Sequence, residues 1–198
     1  VLGMGQSTAV TITFSEAVTG LALADLSAAN GVLSDLLSSD GGITWTAMLT
    51  PTAGTTALAN AIAFDTANVQ DAAGNAGRSI ALSNSYAIDT FAPVLLAASV
   101  SGNSLVVTYA DTSALDAVNV PGAGAFAVTA GGAANAVTAV AVDAVAKTVT
   151  LTLTNAVSFG QTVTVSYTDP TPGDDANAIQ DTAGNDAASL VGVAVTNN

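Results

Sequence analysis

Apolar and polar residues alternate over short stretches along the whole chain, and this alternation predicts β-strands. In residues 8–14 (TAVTITF), Val10, Ile12 and Phe14 fall on one face and threonines on the other, which indicates a half-buried strand. Residues 43–50 (ITWTAMLT) repeat the pattern with the only tryptophan on the apolar face, where we expect it to fill the core. Further strands are predicted at residues 21–23, 32–37, 57–64, 79–88, 94–100, 104–109, 125–129, 136–142, 148–154, 162–167 and 189–196. Since no stretch has the period of a long amphipathic helix, the pattern predicts an all-β protein.

A short acidic turn occurs twice and divides the chain. Residues 70–75 (QDAAGN) and 180–185 (QDTAGN) have β-patterned sequence on both sides, as the last loop of a β-domain would. A repeat of about 100 residues matches the usual size of a β-sandwich. We therefore predict two tandem Ig-like Greek-key β-sandwiches, at residues 1–89 and 94–198. A short, stiff, proline-containing linker at residues 90–93 joins them.

The charge balance excludes several classes of partner. Lys147 and Arg78 are the only basic residues, against 15 acidic ones, and the net charge is −13. Nucleic acids and anionic membranes need Lys or Arg to neutralise phosphate, so we expect neither as a partner. No apolar run reaches the roughly 18 residues that cross a bilayer, and we expect no membrane insertion.

The residue types that are present favour hard cations. The chain has no Cys and no His, which removes the usual zinc and copper ligands and the usual nucleophiles and general bases. Carboxylate and carbonyl oxygens suit Ca²⁺ or Mg²⁺, and Ca²⁺ accepts them in a flexible shell. A glycosidase with Glu16 and Asp71 as its two carboxylates is disfavoured, because both residues are predicted in loops at a domain tip. We predict that the protein is not an enzyme.

Several spaced motifs resemble known protein families. Motifs across residues 7–93 resemble the bacterial Ig-like repeats of giant surface adhesins and RTX-type proteins: TFSEAV at 13–18, LADL at 23–26, DGGITW at 40–45 and DTFAP at 89–93. Motifs across residues 94–198 are similar to the repeats of cyanobacterial swimming-motility surface proteins: SYTDP at 166–170, QDTAGN at 180–185 and AVTN at 194–197. The resemblance implies an extracellular, rod-forming module of the bacterial cell surface, often stiffened by calcium at domain junctions.

From this resemblance we expect a structural, calcium-rigidified module of a repetitive surface adhesin, fibre or surface-layer protein. Its partners would be neighbouring repeats or subunits of a longer polymer. The alternative is a ligand-binding adhesin domain, which would hold a glycan or peptide through calcium and the loop at residues 169–178.

The calcium ligands are predicted from the ends of an Ig-like sandwich. In that topology, the loop after the second strand and the loop before the last strand lie at the end where the linker arrives. The predicted ligands are Asp89, Thr90, Asp111, Asp116, Asp181, Asn185 and Asp186 for the second module, Glu16, Asp71 and Asn75 for the first, and additionally Asp25, Asp169, Asp174 and Asp175. The competing interpretation is that Asp-x-x-Gly-Asn forms only a tight turn, in which Asp accepts hydrogen bonds from backbone amides.

The first module lacks a clear first strand. Only residues 1–6, two of them Gly, precede its strand at residues 8–14, whereas residues 94–100 precede the corresponding strand in the second module. This predicts an open sheet edge with unpaired backbone groups. The edge is expected either because the sequence is cut from a longer repeat array or because a neighbouring subunit adds a strand.

Overall fold

The computed structural model describes residues 1–171 and 175–198, and the regular elements in them are almost entirely β-strands. The chain divides into two compact units, unit 1 (Val1–Thr90) and unit 2 (Phe91–Asn198). Two short 3₁₀ turns are the only helical segments in the described part of the chain. The predicted all-β sandwich fold is therefore confirmed. Among the described residues, no helix has the length and apolar character needed to span a membrane.

Unit 1 contains ten short strands. They are β1 (Thr8–Thr13), β2 (Val18–Thr19), β3 (Leu26–Ala28), β4 (Gly31–Ser38), β5 (Thr44–Pro51), β6 (Thr56–Asn60), β7 (Ile62–Asp65), β8 (Gln70–Asp71), β9 (Ile80–Leu82) and β10 (Tyr86–Asp89). The sheet orders are β1-β5-β4, β3-β7-β9, β10-β6 and β2-β8. In β1, Val10 and Ile12 are half-buried while Thr11 and Thr13 are exposed, which is the alternation that the sequence predicts.

A predicted strand at residues 21–23 is wrong. The segment leads instead into the 3₁₀ turn Leu23–Asp25, and the strand pairing occurs earlier, at β2. Asp25 Oδ2 accepts a hydrogen bond from the Ala22 backbone N–H at 2.8 Å. This local bond from a side chain to the backbone closes the turn where a strand would need a ladder partner.

The main cluster of buried side chains in unit 1 is small, and further apolar side chains such as Leu49 and Ile88 are buried outside it. Val18, Leu21 and Val69 are buried at its centre. The larger side chains around them are only partly buried and include Ile12, Phe14, Leu36, Trp45 and Phe64. The rings of Phe14 and Phe64 meet edge to face with centroids 5.7 Å apart, and Trp45 Nε1 donates a hydrogen bond to the Gly42 carbonyl oxygen at 3.1 Å. Trp45 therefore belongs to the core region of unit 1.

The described part of unit 2 contains seven strands in one continuous sheet. They are β11 (Val94–Ala110), β12 (Phe126–Ala130), β13 (Ala133–Ala134), β14 (Val137–Asp143), β15 (Thr148–Val157), β16 (Val163–Tyr167) and β17 (Leu190–Asn197). Their order is β13-β12-β16-β17-β11-β15-β14. The sheet encloses a core of fully buried aliphatic side chains, among them Leu105, Val107, Val149, Leu151 and Val165.

The long strand β11 connects the two halves of this sheet. Val100 pairs in parallel with Asn197 of β17, and residues 104–108 pair in antiparallel with β15. The prediction of two separate strands at residues 94–100 and 104–109 is therefore wrong, because one strand continues through residues 101–103. Gly102 has φ +58° and lies at the register shift, so glycine forms a bulge that changes the partner of the strand without ending it.

We expect that removing one aliphatic side chain from the enclosed core destabilises the protein strongly. Leu151 has 0% exposure, and Leu151→Ala should lower the free energy of unfolding by about 2–5 kcal/mol, since it removes buried surface and leaves a cavity. The measurement is urea unfolding followed by circular dichroism. Val191→Ala is the matched control because Val191 is 89% exposed in the same sheet, and it should change the free energy by less than about 0.5 kcal/mol. Equal losses in the two variants would contradict this assignment of the core.

Candidate metal centre

The first copy of the repeated motif folds into a turn centred on a carboxylate. Asp71 Oδ1 accepts hydrogen bonds from the backbone N–H groups of Ala73 and Asn75, both at 2.8 Å. Asp71 Oδ2 accepts a third bond from the side-chain amide of Asn75 at 2.7 Å. Gly74 has φ +85°, a backbone conformation that favours glycine. The residue types of the motif are thus explained by one local structure.

The second copy has the same geometry. Asp181 Oδ1 accepts from the N–H groups of Ala183 and Asn185 at 2.8 and 2.9 Å, and its Oδ2 accepts from the Asn185 side chain at 2.8 Å. Gly184 has φ +84°. Both copies therefore form the tight turn of the competing interpretation. A carboxylate oxygen has two lone pairs, so these bonds leave acceptor capacity for a cation.

The two turns differ in their surroundings. Asp181 and Asn185 are each 1% exposed, whereas Asp71 is only partly buried and Asn75 is exposed. Hydrogen bonds from the Asn75 side chain and backbone hold the pKa of Asp71 below its ordinary value. A carboxyl with a lowered folded-state pKa stabilises the fold at neutral pH, and this contribution is lost as the pH falls through that pKa.

Asp111 and Asp181 come together within unit 2. Each offers a carboxylate oxygen, and the two oxygens lie within 4.8 Å of each other. The bridge between Leu115 and Asp181 brings the loop after β11 to the turn before β17. Lys147 Nζ donates to the backbone carbonyl oxygen of Asp111 at 2.5 Å, so the one lysine ammonium of the chain lies beside this pair.

Asp116 lies next to the second turn. Its Oδ1 accepts from the Val118 and Asn119 N–H groups at 2.7 and 3.2 Å. Its Oδ2 accepts from the side chains of Asn119 at 2.7 Å and Gln180 at 3.3 Å. Burial is the largest influence on the pKa of Asp116 and raises it, but the bonds from Asn119 and Val118 together outweigh burial and lower the pKa. The carboxylate of Asp116 thus organises its own loop and joins it to the turn.

A second acidic group forms from three separate segments. Asp169, Asp175 and Asp186 each offer a carboxylate oxygen, and all three oxygens lie within 4.8 Å of one another. The Asp175 N–H donates to Asp186 Oδ2 at 3.0 Å. Thr171 donates to Asp175 Oδ2 through its N–H at 3.2 Å and its hydroxyl at 2.9 Å. The loop backbone thereby holds the carboxylates close to one another.

Sequence reasoning missed that Asp186 lies with Asp169 and Asp175. The sequence placed Asp186 with Asp181 because the two are near in the chain. In the structure, Asp186 forms a bridge with Gln180 across the turn and lies with Asp169 and Asp175. The signal in the sequence is the hairpin itself, since residues at the two ends of such a turn face each other.

Asp169 is a carboxylate of this group whose surroundings disfavour its negative charge. Within the described residues, its Oδ1 atom is buried and has no hydrogen-bond partner. Burial, followed by the charge of Asp175, raises the pKa of Asp169. Burial also raises the pKa of the adjacent Tyr167 to about 12, with the charges of Asp169, Asp186 and Asp175 acting in the same direction. A carboxylate in such a place either takes up a proton or binds a cation.

The predicted ligands of unit 1 lie in different places. Asp25 is buried, and its Oδ1 accepts from the Asn68 side chain at 2.8 Å while its Oδ2 closes the 3₁₀ turn. Glu16 is exposed and lines a cavity of 290 Å³ with Asp71 and Asn75. In the described part of unit 1, no three carboxylates form a group of their own.

The remaining predicted ligands end unit 1 or lie outside the description. Asp89 is 1% exposed, and its Oδ1 accepts a hydrogen bond from the Thr56 hydroxyl at 2.8 Å. Thr90 is 3% exposed, and its hydroxyl oxygen accepts from the Thr55 N–H at 2.8 Å. Asp174 lies outside the described residues.

We expect the buried turn to depend on its carboxylate more than the surface turn does. Asp181→Ala leaves the buried N–H groups around it without an acceptor and should lower the free energy of unfolding by about 1–3 kcal/mol. Asp71→Ala should cost less, because water can replace the lost bonds. Both are measured by chemical unfolding in EDTA, which removes any contribution from calcium. A larger loss for Asp71→Ala than for Asp181→Ala would contradict this account.

Comparison with known proteins follows the division into two units. Residues 1–88 match the family model described as a bacterial Ig-like domain, and residues 88–172 match that of a flagellar system-associated repeat. The chain is similar to the crystal structure of the N-terminal part of the bacterial S-layer protein SbsC, with 23% identity over 55% of this chain and 24% of that chain and a TM-score of 0.41. It is also similar to the Bacteroides ovatus mixed-linkage glucan utilization locus protein SGBP-B in complex with a mixed-linkage heptasaccharide, with 15% identity over 100% of this chain and 42% of that chain and a TM-score of 0.27.

The chain thus spans less than half the length of either solved structure. No curated protein matches it. The two family matches nevertheless confirm both resemblances found in the sequence: the first half of the chain matches the bacterial Ig-like domain family, and the segment that follows matches the flagellar system-associated repeat family.

Proposed function

We propose that the chain is a structural, calcium-rigidified module of a repetitive protein of the bacterial cell surface. Its partners are neighbouring repeats or subunits of the same polymer. The observation that carries the calcium part is the group of Asp169, Asp175 and Asp186, in which the buried Asp169 Oδ1 has no hydrogen-bond partner in the described part of the chain. The two family matches support the modular part.

The residues of this group fit calcium chemically. Three carboxylates provide hard oxygen ligands, and calcium binds such oxygens at about 2.3–2.6 Å in shells of six to eight. Two oxygens on opposite sides of one calcium ion are therefore about 5 Å apart, and the three carboxylate oxygens lie within 4.8 Å of one another. Loop carbonyls and water would complete the shell. Calcium would also offset the repulsion among three carboxylates in a partly buried place.

A second calcium position is proposed at Asp111 and Asp181. These two carboxylates belong to loops that the sandwich brings to one end of unit 2, and Asp116 and Asn185 lie beside them. The position is weaker than the first because the Lys147 ammonium already contributes positive charge there. The assignments of Asp89 and Thr90, and of Glu16, Asp71 and Asn75 in unit 1, stay predictions from the sequence.

The proposed role is non-catalytic. The chain has no Cys and no His, and several carboxylates are engaged by backbone N–H groups of their own turns. An acid or base that holds a loop together is poorly placed to exchange protons with a substrate. The chemistry of this chain is therefore that of a scaffold that binds cations.

We expect calcium to stabilise the protein against heat. With affinities typical of extracellular modules, roughly 0.1–1 mM, 10 mM calcium should add about 1.4–2.7 kcal/mol for each site by mass action. The measurement is differential scanning calorimetry in EDTA and over a calcium titration, with magnesium as the control ion. A melting temperature that is the same in EDTA and in 10 mM calcium would overturn the calcium assignment.

We expect Asp169→Asn to raise the melting temperature in EDTA at pH 7 and to reduce the gain from calcium. The folded-state pKa of Asp169 is raised, so the stability linked to its protonated form is present below pH 3.8 and is lost as the pH rises through the raised pKa. At pH 7 the ionised carboxylate therefore destabilises the fold when no cation is bound. The Asn side chain is neutral at every pH and also lacks one ligand oxygen.

The matched control for this substitution is Asp143→Asn. Asp143 is exposed and accepts hydrogen bonds from Val145 and Ala146 in its own turn, and Asn retains the acceptor oxygen. The control should leave both the melting temperature in EDTA and the gain from calcium nearly unchanged. An undiminished calcium gain in Asp169→Asn would remove this group from the proposed site.

A further inference from the structure

Unit 1 has an open side between two strand edges. Among the described residues, β1 has β5 as its one ladder partner, and β9 has β7. A cavity of 170 Å³ lies between these edges and is lined mainly by apolar side chains, including Val10, Ile12, Ile62, Phe64 and Leu82. A second cavity of 560 Å³ is lined by β1 together with residues 82–86. We call the two cavities together the β1–β9 groove.

Unit 2 contains a strand at the corresponding place. Residues 94–100 form the first part of β11, and Ser99 and Val100 pair in parallel with Thr196 and Asn197 of the last strand, β17. Ala98 and Val100 are buried in the core, and Leu95 packs against it. The chain then continues as the part of β11 that pairs with β15. A leading strand parallel to the last strand thus covers this side of the core of unit 2.

Unit 1 preserves the end of the same arrangement. Leu2 forms a parallel bridge with Ile88 of β10, the last strand of unit 1. The Leu2 N–H donates to the Ala87 carbonyl oxygen at 2.9 Å, and the Asp89 N–H donates to the Leu2 carbonyl oxygen at 3.0 Å. Leu2 of unit 1 therefore corresponds to Val100 of unit 2. The β1–β9 groove lies alongside β10 and β9, where residues 94–98 would run in unit 2.

We propose that the β1–β9 groove receives an extended strand from a neighbouring repeat, parallel to β9 and β10, which ends beside Val1 and carries apolar side chains at alternate positions. The inference deepens the proposed function, on which it rests, because it assigns the contact through which unit 1 joins its neighbour. Unpaired N–H and C=O groups at a strand edge select an extended backbone as their partner. The apolar lining selects side chains such as those of Leu95 and Ala98.

Two features favour a neighbouring repeat over a second copy of this chain. The strand that would fit, residues 94–100, is already used within its own unit. Two copies of a chain with net charge −13 also repel each other. The pairing of Leu2 with Ile88 further gives the direction of the strand and the place where it ends.

The experiment joins a copy of residues 94–98 (VLLAA) directly before Val1 in the full chain, so that Leu2 keeps the position of Val100. Trp45 is the only tryptophan and lies in unit 1, so its fluorescence reports the melting of that unit. We expect the melting temperature reported by Trp45 fluorescence to rise by about 4–8 °C. A small increase in the free energy of unfolding produces a shift of this size in a domain of this length. The control carries a Gly/Ser segment of equal length, which should give no rise.

Two variants in the background of the joined strand locate the effect. Leu82 is 71% exposed and lines the β1–β9 groove, whereas Leu58 is 79% exposed and does not line it. Leu82→Lys should abolish the rise, and Leu58→Lys should leave it intact. Without the joined strand, neither substitution should alter the melting temperature appreciably, since both side chains are exposed.

The outcomes decide between the possible occupants. No rise relative to the Gly/Ser control, or a rise that survives Leu82→Lys, overturns the groove as a strand acceptor. A rise with the free VLLAA peptide but not with the joined strand overturns the neighbouring repeat and assigns the groove to a separate polypeptide. All measurements are made in EDTA. Failure of the calcium proposal therefore leaves this result unaffected, and the reverse also holds.

Discussion

The buried carboxylate of Asp181 is the interaction on which one end of unit 2 depends. This carboxylate accepts three hydrogen bonds from the turn before the last strand. The Asp181 backbone also forms a β-bridge with Leu115 in the loop after β11. An ionised group is buried at acceptable cost only when its oxygens have partners. Asp116 joins the same turn through Gln180. The hydrogen bonds of the Asp181 carboxylate and the bridge from Leu115 thereby hold together two loops that are distant in sequence.

The same turn is more exposed in unit 1. Asp71 accepts an equivalent set of bonds and pairs with Val18 of β2 as Asp181 pairs with Leu115, but it is less buried than Asp181. A nearly identical local sequence therefore gives the same turn, while the contribution of the turn to stability follows from what surrounds it. The motif alone therefore predicts the turn, but it does not predict how much the turn contributes to the free energy of unfolding.

The strands could be predicted from the sequence because their signal is local. Alternation of apolar and polar residues identified β1, β4, β5 and the strands of unit 2 except β13, with β11 predicted as two strands. The failures arise where a local bond or a distant partner decides the structure. The side chain of Asp25 closes a 3₁₀ turn where a strand was expected, and Gly102 forms a bulge because β11 exchanges one partner for another.

The candidate site was only partly predictable for a related reason. Asp169 and Asp175 were recognised as acidic loop residues, yet their grouping with Asp186 depends on the pairing of Gln180 with Asp186. The short distance between Asp181 and Asp186 in the sequence suggested that the two are neighbours. In the structure, the register of the turn places Asp186 opposite Gln180. A ligand set drawn from three segments is a property of tertiary structure, so single motifs can identify its members but not its composition.

The proposed function assigns part of the stabilisation of this chain to its surroundings. The main buried cluster of unit 1 contains three buried side chains, with others such as Leu49 and Ile88 buried outside it, whereas unit 2 includes residues of its own leading strand in one larger core. With 15 acidic and two basic residues, most carboxylates have no basic side chain to pair with, and backbone amides or cations must take that place. In the proposed function, an added strand would cover the open edge and a cation would neutralise the crowded carboxylates. A module in an array at the cell surface would have both, because neighbouring repeats and extracellular calcium are abundant there.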